Sequence, residues 1–403
     1  MIYSCIDIGT DTIKMVTARV KSDSIHILGA VNTRMSGIKK GLIHDPELVK
    51  KSINLANEEM AKVLGFKIDK AIVNVPFYDV SVDVYRGECY PGDIITGDDV
   101  INCFKSGVRN VDKTREVITV FPIDWKVDKE KCDDPKGMTG EKLECRMLIS
   151  SLPKEVVYPY LEILDSCHIE VIDLSFDTVN TFYAMNNKKF NDICGAVVNI
   201  GASKSEIAIF NKGLMIKGDV LPLGSKLVDN DISYMYHVDK ATSRFLKENF
   251  AFACSAYADV NEKMEYDILE GEKLVINQQE ISQVVEARLD EILKTVKNSL
   301  KNLTNHEISY IIVSGGISNL PGFEELANKT FPEMAYSVNL KSLGARNNIY
   351  ISCIGMLRYY YDKLKIRGID YTMYSKISEM IKDKKKELRD KIIDDMKKYC
   401  EDN

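Results

Sequence analysis

Apolar and polar residues alternate with a period of two over residues 5–8, 12–19 and 25–31, and Gly9-Thr10 separates the first two runs. A three-stranded meander therefore opens the chain. Asp45-Pro46 supplies an N-cap and a first-turn proline, after which Val49, Ile53, Ala56, Met60 and Val63 recur at helical spacing. A strand over 70–75 follows the helix. Between about 81 and 164 the texture changes to short alternating strands around a polar centre at 132–140, with one helix over 98–109. This predicts a small inserted α+β module. Residues 196–200, the turn Gly201-Ala202-Ser203 and the return over 206–210 repeat the opening hairpin. Residues 227–303 read as mainly helical with a single strand near 272–276. Leu289, Ile292, Leu293, Val296 and Leu300 mark a long amphipathic helix. A strand over 311–313 runs into Gly315-Gly316, another helix starts near Phe323, and a highly charged helix is predicted from Ser375 onwards.

Composition narrows the class. With 403 residues, 45% hydrophobic and 28% charged, the chain is long enough for two lobes with separate cores. A net charge of -6 argues against a nucleic-acid partner, whose binding face carries clustered Lys and Arg. The first residues carry no basic segment followed by a long apolar run, and no stretch approaches the roughly 18 apolar residues of a membrane span. A cytoplasmic protein with at most peripheral membrane contact is expected. The 10 cysteines show no metal-ligand spacing and read as reduced, mostly buried thiols. The 5 histidines are scattered, so a histidine-based site has no support.

Three turns carry candidate chemistry. Asp7-Ile8-Gly9-Thr10, set between two strands, lets backbone N–H groups approach phosphate oxygens, and Asp7 would face Mg²⁺ through water. In the second hairpin, Gly201-Ala202-Ser203-Lys204-Ser205, the hydroxyls of Ser203 and Ser205 are candidate phosphate donors. The run from Ser314 to Gly322, S-G-G-I-S-N-L-P-G, places two glycines between a strand and a helix, where adenine or ribose can pack directly on backbone. Each turn alone is also a common tight turn. Their order and spacing together point to a nucleotide held between two lobes.

These motifs, with Ser36-Gly37-Ile38-Lys39-Lys40-Gly41 and above all Asp134-Pro135-Lys136-Gly137-Met138-Thr139-Gly140, resemble the bacterial cell-division family FtsA, within the actin/Hsp70/sugar-kinase superfamily. The resemblance runs from Met1 to about Tyr361. It implies an α/β, actin-like two-lobed fold of duplicated ribonuclease H-like domains with an inserted SHS2-like subdomain. Residues 1–80, 165–192 and 345–372 would form the first lobe and 81–164 the insertion. Residues 193–226 with 304–344 would form the second lobe's core, 227–303 its outer helical subdomain, and 373–403 the C-terminal helix. It further implies ATP and Mg²⁺ in the interlobe cleft, self-association into filaments or dimers, and linkage of FtsZ filaments to the inner face of the membrane at the division septum. Carried over residue by residue, Gly9, Thr10 and Lys14 fall on the first phosphate hairpin, Gly201, Ser203 and Ser205 on the second, Gly315, Gly316 and Gly322 on the adenosine loop, and Lys247 on a nucleoside-contacting helix.

The chain departs from the family pattern at three places. The second hairpin usually begins with Asp, but here Asn199 stands in the metal-water position opposite Asp7, which removes a carboxylate and predicts weak turnover. Arg244 stands where a ribose-holding Glu is usual, so an acceptor has become a donor. The predicted C-terminal helix mixes acidic and basic residues around Ile377, Ile381, Leu388, Ile392, Met396 and Tyr399, without the bulky aromatic anchors of an interfacial helix. It therefore suits a partner helix as well as a membrane surface. The expectation is an adaptor with at most weak ATPase activity. The alternatives are a scaffold in pilus assembly or plasmid segregation, a degenerate nucleotide-binding scaffold, and a sugar kinase, which needs an added catalytic Asp.

Overall fold

Two five-stranded sheets of the same topology face each other across a cleft in the computed structural model, which describes residues 1–21, 24–185, 187–267, 273–332, 334–337 and 348–374. The predicted C-terminal helix lies outside the described residues. In the first lobe β1 (Ile2–Ile8), β2 (Thr12–Lys21) and β3 (Ser24–Arg34) form the antiparallel meander. The short strands β4 (Ile38–Lys39) and β5 (Leu42–Ile43) lead into α1 (Pro46–Leu64) and then β6 (Lys70–Asn74). As the sequence predicts, Asp45 accepts the N–H of Leu48 and Pro46 opens the helix, while Gly65 closes it in the left-handed conformation. Every residue of β1 is buried, because β1 is the central strand, with layers packed on both faces.

The insertion follows: β7 (Ser81–Cys89), α2 (Gly97–Val108), β8 (Arg115–Val127), β9 (Glu130–Cys132) and β10 (Leu143–Pro153), with sheet order β7-β10-β8-β9. Its own core gathers Val100, Cys103, Phe104, Trp125 and Met147. The Asp134–Gly140 segment anchors this unit. Gly137 N–H donates to Ile95 O at 2.9 Å, and Ile95 N–H donates to Met138 O at 2.9 Å. The chain returns through α3 (Lys154–Ser166), β11 (Glu170–Ser175) and α4 (Asp177–Met185).

The second lobe repeats the first. β12 (Cys194–Ile200), β13 (Ser205–Asn211) and β14 (Leu214–Leu221) form the second meander, followed by α5 (Lys226–Tyr236) and α6 (Lys240–Asn249). The strand expected near 272–276 is one half of a hairpin, β15 (Lys263–Asp267) with β16 (Lys273–Asn277). The partner strand Lys-Met-Glu-Tyr-Asp replaces expected helix, because its two apolar residues sit among charges and carry no strong period. Then come α7 (Gln278–Leu303), β17 (Tyr310–Ser314), α8 (Phe323–Thr330), β18 (Ala335–Ser337) and α9 (Ile351–Arg367). The orders β3-β2-β1-β6-β11 and β14-β13-β12-β17-β18 correspond element for element. All five residues that mark the α7 stripe are buried, each contributing roughly 1.5–3 kcal/mol. The nine described cysteines are free. In the insertion, Lys136 Nζ caps the end of α9 by donating to Ile366 O at 3.0 Å.

A buried ion pair ties α9 to the first sheet. Lys363 Nζ donates to both oxygens of Asp173, at 2.8 and 2.6 Å, and lies 4.8 Å from the centre of the Tyr359 ring. Burial pulls the Lys363 ammonium below the usual lysine range against the opposing pull of Asp173. Replacing Lys363 with Met leaves Asp173 without its cation, and about 3 kcal/mol of stability is expected to be lost at neutral pH. Adding Asp173→Asn should recover most of that loss in urea unfolding, since no orphaned charge then remains.

Candidate functional site

The two hairpin turns are built by the same backbone bond. Gly9 N–H donates to Thr12 O at 3.0 Å in the first, and Gly201 N–H donates to Lys204 O at 2.9 Å in the second. They meet across the cleft, where Ser203 Oγ donates to Thr10 Oγ1 at 3.2 Å. Between the lobes lies a cavity of about 460 Å³. Asp7, Gly9, Thr10, Lys14, Asn199, Gly201, Arg244, Lys247, Gly315 and Gly316 all line it. Residues separated by more than 300 positions are thus brought to one place by the duplicated topology.

Three of the expected residues do not line this cavity: Ser205, Gly322 and Ser203, whose Oγ is engaged with Thr10. Ser205 is buried and its Oγ donates to Leu223 O at 2.8 Å, because alternation along β13 turns it away from the cleft. Gly322 starts α8 at φ 77° and packs against Cys254, so it shapes the loop from outside the cavity. Gly315 and Gly316 differ in role. At φ 107°, Gly315 holds the strand end so close to the second hairpin that a Cβ would stand 2.1 Å from Ile200 O. Gly316 faces open space, so a flat ring can approach its backbone.

The charges of the cleft are arranged in pairs. Lys14 Nζ donates to Asp7 Oδ2 at 2.8 Å. Burial works against the Lys14 ammonium, yet Asp7 outweighs it and holds the pKa above the usual lysine range. Arg244 Nη1 donates to Asp11 Oδ2 at 2.8 Å and its Nε to Glu248 Oε1 at 2.7 Å. Lys226 Nζ, at the start of α5, lies 2.5 Å from Asp11 Oδ1. Asp11 in the first hairpin therefore ties the first lobe to α5 and α6 of the second. Lys247 lies 2.6 Å from Asp229 Oδ1. Burial raises the Asp229 carboxyl, and Lys247 draws it back. Lys204 Nζ stands 2.8 Å from Glu206 Oε1 but without hydrogen-bond geometry, and Glu206 Oε2 is buried with no partner.

The sequence alone portrays the cleft as depleted in acid. The structure corrects this with Asp177, the first residue of α4, and Glu206, both of which line the cavity. Asn74 connects Asp177 to Asp7. Its Oδ1 accepts Ile8 N–H at 2.7 Å, which fixes the amide, and its Nδ2 donates to Asp7 Oδ1 at 2.7 Å and to Asp177 Oδ1 at 2.9 Å. Ser352 Oγ also donates to Asp177 Oδ1, and Asn199 Nδ2 to Asp177 Oδ2 at 3.3 Å. Burial, then Asp7 and then Glu206, push the Asp177 carboxyl up to about 7. Asp177 follows a strand in Leu-Ser-Phe-Asp-Thr, and Asn74 ends the apolar run of β6. A polar residue at the carboxyl end of a buried parallel strand was the available signal. Among the described residues no three His, Cys, Asp or Glu side chains converge to hold a metal directly. A cation here would be held through its water shell and through phosphate, which suits Mg²⁺.

Known proteins agree with this architecture. The model for "Cell division protein FtsA" matches residues 196–355, and that for "SHS2 domain inserted in FTSA" matches 79–151, together more than half of the chain. The cell division protein FtsA of Bacillus subtilis (strain 168) is 25% identical over 374 residues, covering 91% of this chain and 85% of that protein. FtsA of Enterococcus hirae is 26% identical over 372 residues, covering 89% and 82%. Among solved structures, a PilM-PilN type IV pilus biogenesis complex matches with TM-score 0.60 at 13% identity, over 88% of this chain and 98% of that one. MreB5 of Spiroplasma citri bound to ADP matches with TM-score 0.56 at 10% identity, over 92% and 99%. The structural likenesses establish an actin-like fold, and the sequence matches, which include its inserted subdomain, establish that the chain belongs to the FtsA family of cell-division proteins.

Proposed function

We propose that this chain is a cell-division adaptor that binds ATP with Mg²⁺ between its lobes, assembles with further copies of itself, and links FtsZ filaments to the membrane at the septum. The observation that carries the nucleotide part is the convergence of both hairpin turns and the Gly315-Gly316 turn on one cavity of about 460 Å³. That volume suits a nucleotide-sized ligand. In this reading Gly9, Thr10, Gly201 and Ser203 hold the phosphates, Lys14 neutralises them beside Asp7, and Gly316 and Lys247 face the nucleoside. Bound Mg²⁺ would supply positive charge to the phosphates, and Asp7 would hold its water shell.

Slow turnover is part of the proposal. Asn199 stands where the second hairpin usually carries a carboxylate, and an amide can orient a water but cannot take its proton. The division role rests on family membership, and the septal and peripheral membrane location follows from it. No helix among the described residues is long and apolar enough to cross a membrane. The test is co-sedimentation with FtsZ filaments and with liposomes, in ATP, ADP and no nucleotide. Binding to both, strongest with ATP and with phosphate released over minutes or longer, is expected. Failure to bind FtsZ in every nucleotide state would remove the division role.

A further inference from the structure

A lysine in a turn between two strands ordinarily extends into water, yet most of the Lys204 side chain is buried and its Nζ is shut off from solvent. From the second hairpin it crosses to the first lobe, where a Cβ on Gly41 would stand 2.9 Å from both its Cε and its Nζ. Lys204 and Gly41 both line the cavity. The Glu206 carboxylate lies 2.8 Å away, but Nζ has no partner in hydrogen-bond geometry. Glu206 Oε2, on a residue only 3% exposed, has none either. An ammonium carries three donors, and leaving them unmade in a buried place is costly. Lys14 in the first hairpin, by contrast, donates to Asp7 at 2.8 Å. A buried cation with its donors unspent, lining a cavity, calls for an anionic ligand.

The place of Lys204 in the cavity indicates which part of the ligand it meets. Lys247 and Gly316, which face the nucleoside in the reading above, belong to α6 and to the turn after β17. The neighbours of the Lys204 ammonium are instead Glu206 on β13 and Gly41, between β4 and β5, whose carbonyl accepts Tyr160 OH at 2.8 Å. A nucleotide with its nucleoside on Gly316 and its first phosphates on the two turns has its last phosphate left for this corner. Asn199 favours the same charge, since an amide in place of the usual acid leaves the second hairpin less negative. We propose that Lys204 recognises the terminal phosphate of a nucleoside triphosphate by donating to it, and so lets the protein distinguish triphosphate from diphosphate. Glu206 holds the ammonium at the cavity wall until that phosphate arrives. This rests on the nucleotide reading of the cleft and assigns one further residue within it.

The test is the ratio of two affinities. Displacement of a fluorescent ADP analogue from the full chain, with Mg²⁺ present, gives the affinity for ADP and for a non-hydrolysable ATP analogue. The unaltered chain should prefer the triphosphate by about tenfold or more, the scale of a charge-assisted hydrogen bond. Lys204→Met should bring that ratio close to one by weakening the triphosphate, with ADP affinity held within about threefold. Because Lys204→Met leaves Glu206 buried without its cation, Glu206→Gln and the double variant Glu206→Gln with Lys204→Met form a second pair in which no carboxylate is orphaned. The preference should persist in Glu206→Gln and be lost in the double variant, whose cooperative thermal melt without nucleotide establishes that it is folded. A preference that survives in the folded lysine variants, or that vanishes with Glu206→Gln alone, overturns the proposal. An equal loss of both nucleotides in the lysine variants also overturns it and marks Lys204 as a strut between the lobes. If the unaltered chain binds both nucleotides equally, the role of Lys204 falls and the cleft reading stands. If it binds neither, both fall.

Discussion

Gly355→Ala is expected to prevent stable folding, or to cost more than the roughly 1–3 kcal/mol typical of an overpacked site. Gly355 sits in α9 where that helix crosses α4, and the backbones touch. A Cβ at this position would stand 1.6 Å from Asn180 O and 2.3 Å from its carbonyl carbon. Backbone, unlike the far end of a flexible side chain, cannot yield locally, so the helices must separate by more than an ångström. Buried residues on both helices, including Val179, Ile354 and Leu357, would lose contacts together. The damage reaches the cleft, because Asn180 Nδ2 donates to Ser352 Oγ at 3.1 Å and Ser352 in turn donates to Asp177. The protein should be recovered in soluble form poorly, and any folded fraction should melt far below the unaltered chain. Gly92→Ala is the control, since a Cβ there meets nothing within 4 Å, and it should leave the melt unchanged.

Much of the architecture was legible because the duplicated hairpins and the α1 and α7 stripes obey simple periods. The repeat of β1-β2 in β12-β13 followed from two Gly-containing turns at matching places, and the shared bonds at Gly9 and Gly201 bear out that duplication. The β15 strand was illegible because a charged, two-stranded edge hairpin buries little and leaves a weak pattern. In the site, the turn glycines could be read locally, since each is confined to a few consecutive residues. Asp177, Asn74 and Glu206 could not. Their roles exist only where α4, β6 and β13 meet the two hairpins, and no spacing along the chain encodes that meeting. Asn199 shows the limit most clearly. Its change from an acid was visible in the sequence, and the acid that its amide meets across the cleft, Asp177, was not.

That acid makes the second large effect a pH dependence of the nucleotide-free protein. The Asp177 carboxyl is raised from 3.8 to about 7 in the folded chain, first by burial, then by Asp7 and Glu206. Below pH 4 both folded and unfolded states carry its proton. Between about pH 4 and 7 the unfolded chain releases the proton while the folded chain keeps it, so the folded state binds more protons and stability falls as pH rises through this window. Above pH 7 the loss is complete. A carboxyl that holds its proton this much more tightly in the folded chain loses about 4 kcal/mol at most across the window, less whatever relaxation of the site and water entry recover. The groups facing Asp177 are Asp7 and Lys14 from the first hairpin, Asn74 from β6, Asn199 and Glu206 from the second, and Ser352 from α9. Asp229, also raised by burial, adds a loss of the same sign. Comparison with the Asp177→Asn variant isolates the contribution of Asp177. In EDTA and without nucleotide, that variant should be more stable than the unaltered chain at pH 8 by a few kcal/mol, and the difference should vanish by pH 4. Denaturant unfolding at half-unit intervals of pH measures it, and parallel curves for the two proteins would show that Asp177 ionises in the cleft without strain.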